Sequence, residues 1–116
     1  MPTKNATDFS DLPDNVLDLV ADCFQALSDP TRLKILRALK SGEKTVQELV
    51  AMFDWTQPNI SRHLSILARA GMVNKTKEGP FVYYGIANPR VFTLCDNVCS
   101  HVNGVIAAYG KTARRR

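Results

Sequence analysis

Residues 56–73, TQPNISRHLSILARAGMV, constrain this chain more than any other stretch. Thr56 and Gln57 form a polar cap, and Pro58 falls in the first helical turn, where a missing N–H does little harm. Ile60, Leu64 and Leu67 then recur at helical spacing and form one apolar stripe. The other face carries Asn59, Ser61, Arg62, His63 and Arg69. Gly71 follows as the residue best suited to a left-handed helix end. One short helix thus has a side that must be buried and a side dense in groups that bond phosphates and base edges. A helix that reads the major groove needs both. Most amphipathic helices with a polar outer face are simply solvated, so the neighbouring segments decide.

Thr45, Val46, Gln47 and Glu48 fit a capping box, S/T-x-x-E, which starts a helix through Leu49, Val50 and Phe53. Asp54 and Trp55 make a short turn into Thr56. Two helices joined this closely form a helix-turn-helix. After Gly71 the pattern changes to a strand over residues 72–77. Glu78, Gly79 and Pro80 turn the chain, and residues 81–86 return as a second strand rich in β-branched and aromatic residues. A helix-turn-helix followed by a β-hairpin is a winged helix.

At 116 residues the chain has the size of one domain and can bury a core without disulfides or metal. No apolar run approaches a membrane span, no signal-peptide pattern opens the chain, and three cysteines fit no secreted disulfide framework. A cytoplasmic protein with reduced thiols is the expectation. The net charge of +4 is unevenly placed. Residues 1–22 hold five Asp against one Lys, a net of −4, and the remainder holds 14 Lys and Arg against six acids, a net of +8. A basic body suits a phosphate-binding surface. Paired carboxylates, a nucleophile–base set and a phosphate-binding glycine loop are all missing, which argues against an enzyme.

Three parts are expected: a flexible arm over residues 1–9, a winged-helix and dimerisation domain over 10–109, and a basic tail over 110–116. The domain opens with a helix over about residues 11–27. Asp29 as cap and Pro30 at the first position start a second helix, running to about Lys40 with Leu33, Leu36 and Leu39 inward. Asn88 and Pro89 repeat that signal and open a last helix to about Tyr109, closed by Gly110. The fold is mainly α with a β-hairpin wing, in the order α-α-α-α-β-β-α. The two terminal helices also carry packing seams. Leu12, Val16, Leu19, Cys23 and Ala26 are spaced 4, 3, 4, 3, and Phe92, Cys95, Cys99, Val102 and Ile106 are spaced 3, 4, 3, 4. Val91, Leu94, Val98 and Val105 widen the apolar arc of the last helix, so it has two faces to cover. A homodimer through these helices is expected, because two reading helices must enter grooves about one turn apart.

The segments FQALSDPTRLKILRAL, TQPNISRHLSILARAGMV and EGPFVYYGIANP resemble the ArsR/SmtB family of bacterial repressors over roughly residues 17–108. The resemblance implies a homodimeric winged-helix protein, joined through its terminal helices. It implies binding to double-stranded operator DNA and release when a metal, metalloid or thiol-reactive signal binds. Three departures qualify it. The Cys-x-Cys pattern of many arsenic and cadmium sensors is replaced by Glu48, Leu49, Val50, Ala51 and Met52. The Asp and His pattern that binds zinc on the last helix of other members is missing. Pro80 follows Gly79 in the wing where an Arg is common. Gln57, Asn59, Ser61, Arg62 and His63 are the candidate base-side residues, and Lys75, Lys77 and Tyr83 the candidate backbone contacts.

The inducer site is sought at the cysteines. Cys95 and Cys99 lie about 40° apart around a helix and roughly 6 Å along it, so both can reach one soft ion. Cys23 lies on the other seam, and packing of the two seams would bring three sulfurs together. Three thiolates without a fourth ligand suit arsenite or antimonite, whereas zinc wants a fourth. His101 falls on the opposite side of the helix, though Asp96 could approach, so cadmium or zinc is the alternative. Thiol oxidation or persulfide chemistry is another, and buried cysteines used only for packing a third. A winged-helix protein-interaction module without DNA reading is the function of a different class.

Overall fold

The computed structural model describes residues 8–109. The expected arm, apart from Asp8 and Phe9, the closing Gly110 and the basic tail lie outside the described residues. A single 3-10 turn, Phe9–Asp11, precedes helix α1, Asp14–Ala26. Pro13 caps α1, so the expected helix from Asp11 is broken at the proline. Helix α2, Pro30–Leu39, starts as the sequence predicts: Asp29 Oδ1 accepts from the N–H groups of Thr31 at 2.7 Å and Arg32 at 3.2 Å. Leu36 and Leu39 are buried with Ile35, but Leu33 is 43 % exposed, which corrects the expected inward stripe. Leu33 lines a groove between α2 and the last helix instead.

A two-residue strand that the sequence pattern did not reveal, β1 (Lys44–Thr45), precedes helix α3, Val46–Phe53. The capping box is complete: Thr45 Oγ1 accepts from the Glu48 N–H at 3.1 Å, and Glu48 Oε1 accepts from the Thr45 N–H at 2.8 Å. Asp54 takes the left-handed conformation, φ 59°, that turns the chain toward helix α4, Gln57–Arg69. Phe53 and Trp55 stack at 4.9 Å, with the Lys34 ammonium 5.6 Å from the indole centroid. A stiff, packed turn thus joins the two helices.

Gly71, at φ +78°, closes α4. The Met72 N–H donates to the Leu67 carbonyl at 2.9 Å and the Gly71 N–H to the Ala68 carbonyl at 3.0 Å, which is a complete Schellman motif. The hairpin of β2 (Val73–Glu78) and β3 (Phe81–Ile86) follows, and β1 pairs with the far edge of β3, giving the order β1-β3-β2. Gly79 supplies a positive φ of 60° at the start of the two-residue loop. Helix α5, Arg90–Tyr109, closes the described chain, with Asn88 Oδ1 accepting from the Arg90 N–H at 2.8 Å. The core is formed where α2, α3 and α4 meet β2 and the start of α5: Ile35, Leu36, Leu49, Ile60, Leu64 and Leu67 are fully buried. The fold is mainly helical with an antiparallel wing, as the sequence implies.

Candidate nucleic-acid interface

Helix α4 is held from behind by Ile60, Leu64 and Leu67, each at 0 % exposure. Its outer side presents Gln57 and Arg62 to solvent, with Asn59 and Ser61 half-buried beside them. Thr56 Oγ1 caps the helix by accepting from the Asn59 N–H at 3.3 Å. Arg62 Nη2 donates to Asn59 Oδ1 at 2.9 Å, so these two side chains form one unit and Asn59 steers the guanidinium. The rest of the Arg62 fork is left for a partner.

His63 is the exception. The expectation that it faces the groove is corrected: it is 5 % exposed, and its Nδ1 lies 3.1 Å from Arg32 Nη1. Burial pushes His63 below its ordinary pKa, Asp29 pulls it up, and Arg62 and Arg32 push it down. The ring is therefore an uncharged part of the interior at neutral pH.

The wing residues divide between the two faces of the hairpin. Lys75 pairs with Tyr84 and Lys77 with Val82, whereas Tyr83 pairs with Thr76. Successive side chains point to opposite faces, so Lys75 and Lys77 share one face and Tyr83 lies on the other, beside Phe81 at 6.4 Å. A groove joins Gln57 and Lys75 to Gln47 in the first turn of α3. Gln47 was not among the sequence candidates. Its signal was available, since the middle of a capping box at the start of the first helix of the pair points outward.

The cysteines do not converge within one chain. Among the described residues no three His, Cys, Asp or Glu side chains gather closely enough to hold a metal ion. Cys23 turns toward α4, its Sγ 3.8 Å from the Ala70 carbonyl. Cys95 and Cys99 instead line an apolar groove between α2 and α5, beside Asp96 and beneath Lys34, Arg37 and Lys40. Burial raises the Cys95 thiol above its usual pKa, with Cys99 and Asp96 adding to the effect. The seams are open in part: Leu19 of α1 and Val102 and Ile106 of α5 are each at least 45 % exposed, and Phe24, Val98 and Val105 beside them at least 38 %, whereas Ala26 is buried and Cys23 packs against the core.

A buried-backed helix with a polar outer face, a stiff turn before it and a basic hairpin after it define a winged helix-turn-helix of the DNA-binding class. The sequence profile of the bacterial regulatory protein, arsR family, matches residues 29–75. The transcriptional repressor SdpR of Bacillus subtilis is 43 % identical over 63 residues, covering 54 % of this chain and 70 % of SdpR. The "Probable mercury resistance operon repressor" of Streptomyces lividans is 42 % identical over 77 residues, which span 66 % of this chain and 62 % of that protein. Among solved structures, the homodimeric winged helix-turn-helix DNA-binding domain Mb0332 from Mycobacterium bovis superposes with a TM-score of 0.71 at 30 % identity, covering 90 % of this chain and 95 % of that one. This chain belongs to the ArsR family of winged-helix transcriptional regulators. No helix among the described residues is long and apolar enough to cross a membrane.

Proposed function

We propose that this chain is a homodimeric repressor that reads operator DNA with α4, grips the flanking backbone with its wing, and lets go when a thiol-binding signal reaches α5. The observation that carries the proposal is the two-sidedness of α4. Its inner face is completely buried, and its outer face offers Gln57, Ser61 and the Asn59-steered Arg62. Binding to the DNA upstream of its own gene, compared with a scrambled duplex, tests it. Equal affinity for both would favour the protein-interaction alternative.

Lys75 and Lys77 are the backbone-gripping cations, which share one face of the wing, Lys75 in a groove with Gln57. Each phosphate contact removed lowers the slope of log affinity against log salt by about one. Lys77→Ala is therefore expected to flatten the salt dependence and leave the preferred sequence unchanged. Altered sequence preference at an unchanged slope would mean that the wing reads bases. Tyr83 is assigned a backbone contact from the other face of the wing, outside this cationic pair.

The signal site centres on Cys95 and Cys99, two thiols one turn apart on a helix whose apolar face is uncovered. Two sulfurs are an incomplete set for arsenite or antimonite, so Cys23 supplies the third from across the dimer. Ligation there changes how α1 and α5 pack, and that packing sets the separation of the two reading helices. Cys95→Ser and Cys99→Ser proteins should bind operator normally and fail to release it. Burial holds Cys95 protonated, so a divalent cation such as cadmium must displace its proton, and the concentration needed should fall as pH rises. The hydroxyls of arsenite instead leave as water with the thiol protons, so release by arsenite should vary little with pH. Titration of release with arsenite, antimonite, mercuric ion, cadmium, zinc and polysulfide in parallel identifies the signal. Normal release from both serine variants would reduce these cysteines to packing residues.

A further inference from the structure

Arg32 is a charged side chain only 9 % exposed. Its Nε donates to the Ala26 carbonyl at 2.6 Å and its Nη2 to the Gln25 carbonyl at 3.2 Å. These are the last two residues of α1, so the guanidinium caps the carbonyl end of that helix, where a cation is favoured. The third bond of the fork runs to His63 Nδ1 on α4, at 3.1 Å. A guanidinium can only donate, so Nδ1 must be the accepting nitrogen and the ring proton sits on Nε2. An open cleft lined by Asp22, Gln25, Arg32, Ile66 and Arg69 lies between α1 and α4. Near the far end of α4, the Cys23 thiol meets the Ala70 carbonyl. Directional bonds at two points thus span the cleft between α1 and α4.

We infer that Arg32 and His63 are a positioning pair that sets the angle of α4 against α1, and that operator affinity depends on the bond between them. This inference rests on the DNA-binding function proposed above. His63 immediately follows Arg62, so any turn of α4 that relaxes the pair also swings the outward guanidinium. Helix α1 carries one of the two open seams, so the pair also ties the reading helix to the subunit contact proposed above.

The pair is sensitive to a single proton. A protonated His63 has two donors and no acceptor, and it would place a second cation against Arg32. The charged groups around it are Asp29 and Arg32 of α2 with its cap and Arg62 of α4, with Asp22 of α1 and Arg69 of α4 lining the adjoining cleft. Burial holds His63 below its ordinary 6.5, against the opposing pull of Asp29. The unfolded chain therefore takes up this proton first as pH falls, so the folded arrangement is favoured above about 6.5 and weakens below it.

Operator affinity measured from pH 8 to pH 5.5 for the wild type, His63→Asn and His63→Leu tests the inference. The asparagine oxygen stands near the place of Nδ1 and does not titrate, so His63→Asn should bind within about threefold of wild type at pH 8 and vary less with pH. The wild type should lose about tenfold over that range, and His63→Leu should show about that loss already at pH 8, the scale of one bond to a charged group. A His63→Asn profile that follows the wild type, or a folded His63→Leu protein with wild-type affinity, would overturn the inference. If His63→Leu fails to fold, the His63→Asn profile decides. Free protein separates this inference from the DNA-binding proposal. Imidazole nitrogen NMR should find the Nε2–H form, and amide exchange along α4 should be faster in Arg32→Met than in the wild type. A ring protonated on Nδ1, or equal exchange, would refute the pair whatever the DNA results.

Discussion

Val102→Glu is expected to yield a folded monomer that binds operator at least about a hundredfold more weakly than the wild type, the lower end of what linking two binding modules gains. Val102 lies on α5 at 45 % exposure, between Val98 and Ile106 on the same apolar side. A single chain leaves this surface, with that of α1, facing water. An unpaired carboxylate buried there by a second copy would be strongly unfavourable. Loss of the proposed dimer would leave one reading helix where two are needed. Ser100 is about 200° around the helix from Val102, so Ser100→Glu should change neither assembly nor binding. Sedimentation and operator titration on the same samples check both variants. A Val102→Glu monomer that still binds a full operator tightly would refute the dimer proposal.

Removing the reading side chains should cost almost as much. Gln57 and Arg62 are exposed residues in the first half of α4 able to make paired bonds to a base edge, and each such pair is worth about 1–3 kcal/mol, or roughly 5–150-fold. Gln57→Ala and Arg62→Ala should each lose affinity within that range and relax preference at one base pair. Arg62→Lys should recover only part of the loss, because an ammonium cannot reproduce the fork that Asn59 orients. Binding to a panel of single-base operator variants measures both effects. Wild-type affinity and specificity in both alanine variants would remove α4 from the interface.

Much of this architecture was legible because its signals are local. The Thr45 and Glu48 box, the Thr56 cap and the Gly71 terminus each act within a few residues, and each stands where its spacing placed it. His63 shows how residue type misled. It stands three after Ile60 and four before Leu67, which places it in the buried stripe, yet its polarity suggested the outer face. Its partner Arg32 is 31 positions away and had no local signature. Strand β1 escaped for the same reason: two residues become a strand only by pairing with Tyr83 and Tyr84. The cysteines divided because the seam spacing describes each helix alone. It does not say that Cys23 would turn to Ala70 while Cys95 and Cys99 face α2.

A dimer of this chain is proposed to recognise DNA through α4 and the wing. Titration of a labelled upstream duplex and a scrambled duplex at two salt concentrations, followed by footprinting, tests it most directly. Affinity for the upstream duplex is expected to be at least about a thousandfold above that for the scrambled one, with steep salt dependence and two protected half-sites about 10 base pairs apart. Equal affinity for both duplexes, or binding indifferent to salt, would contradict it.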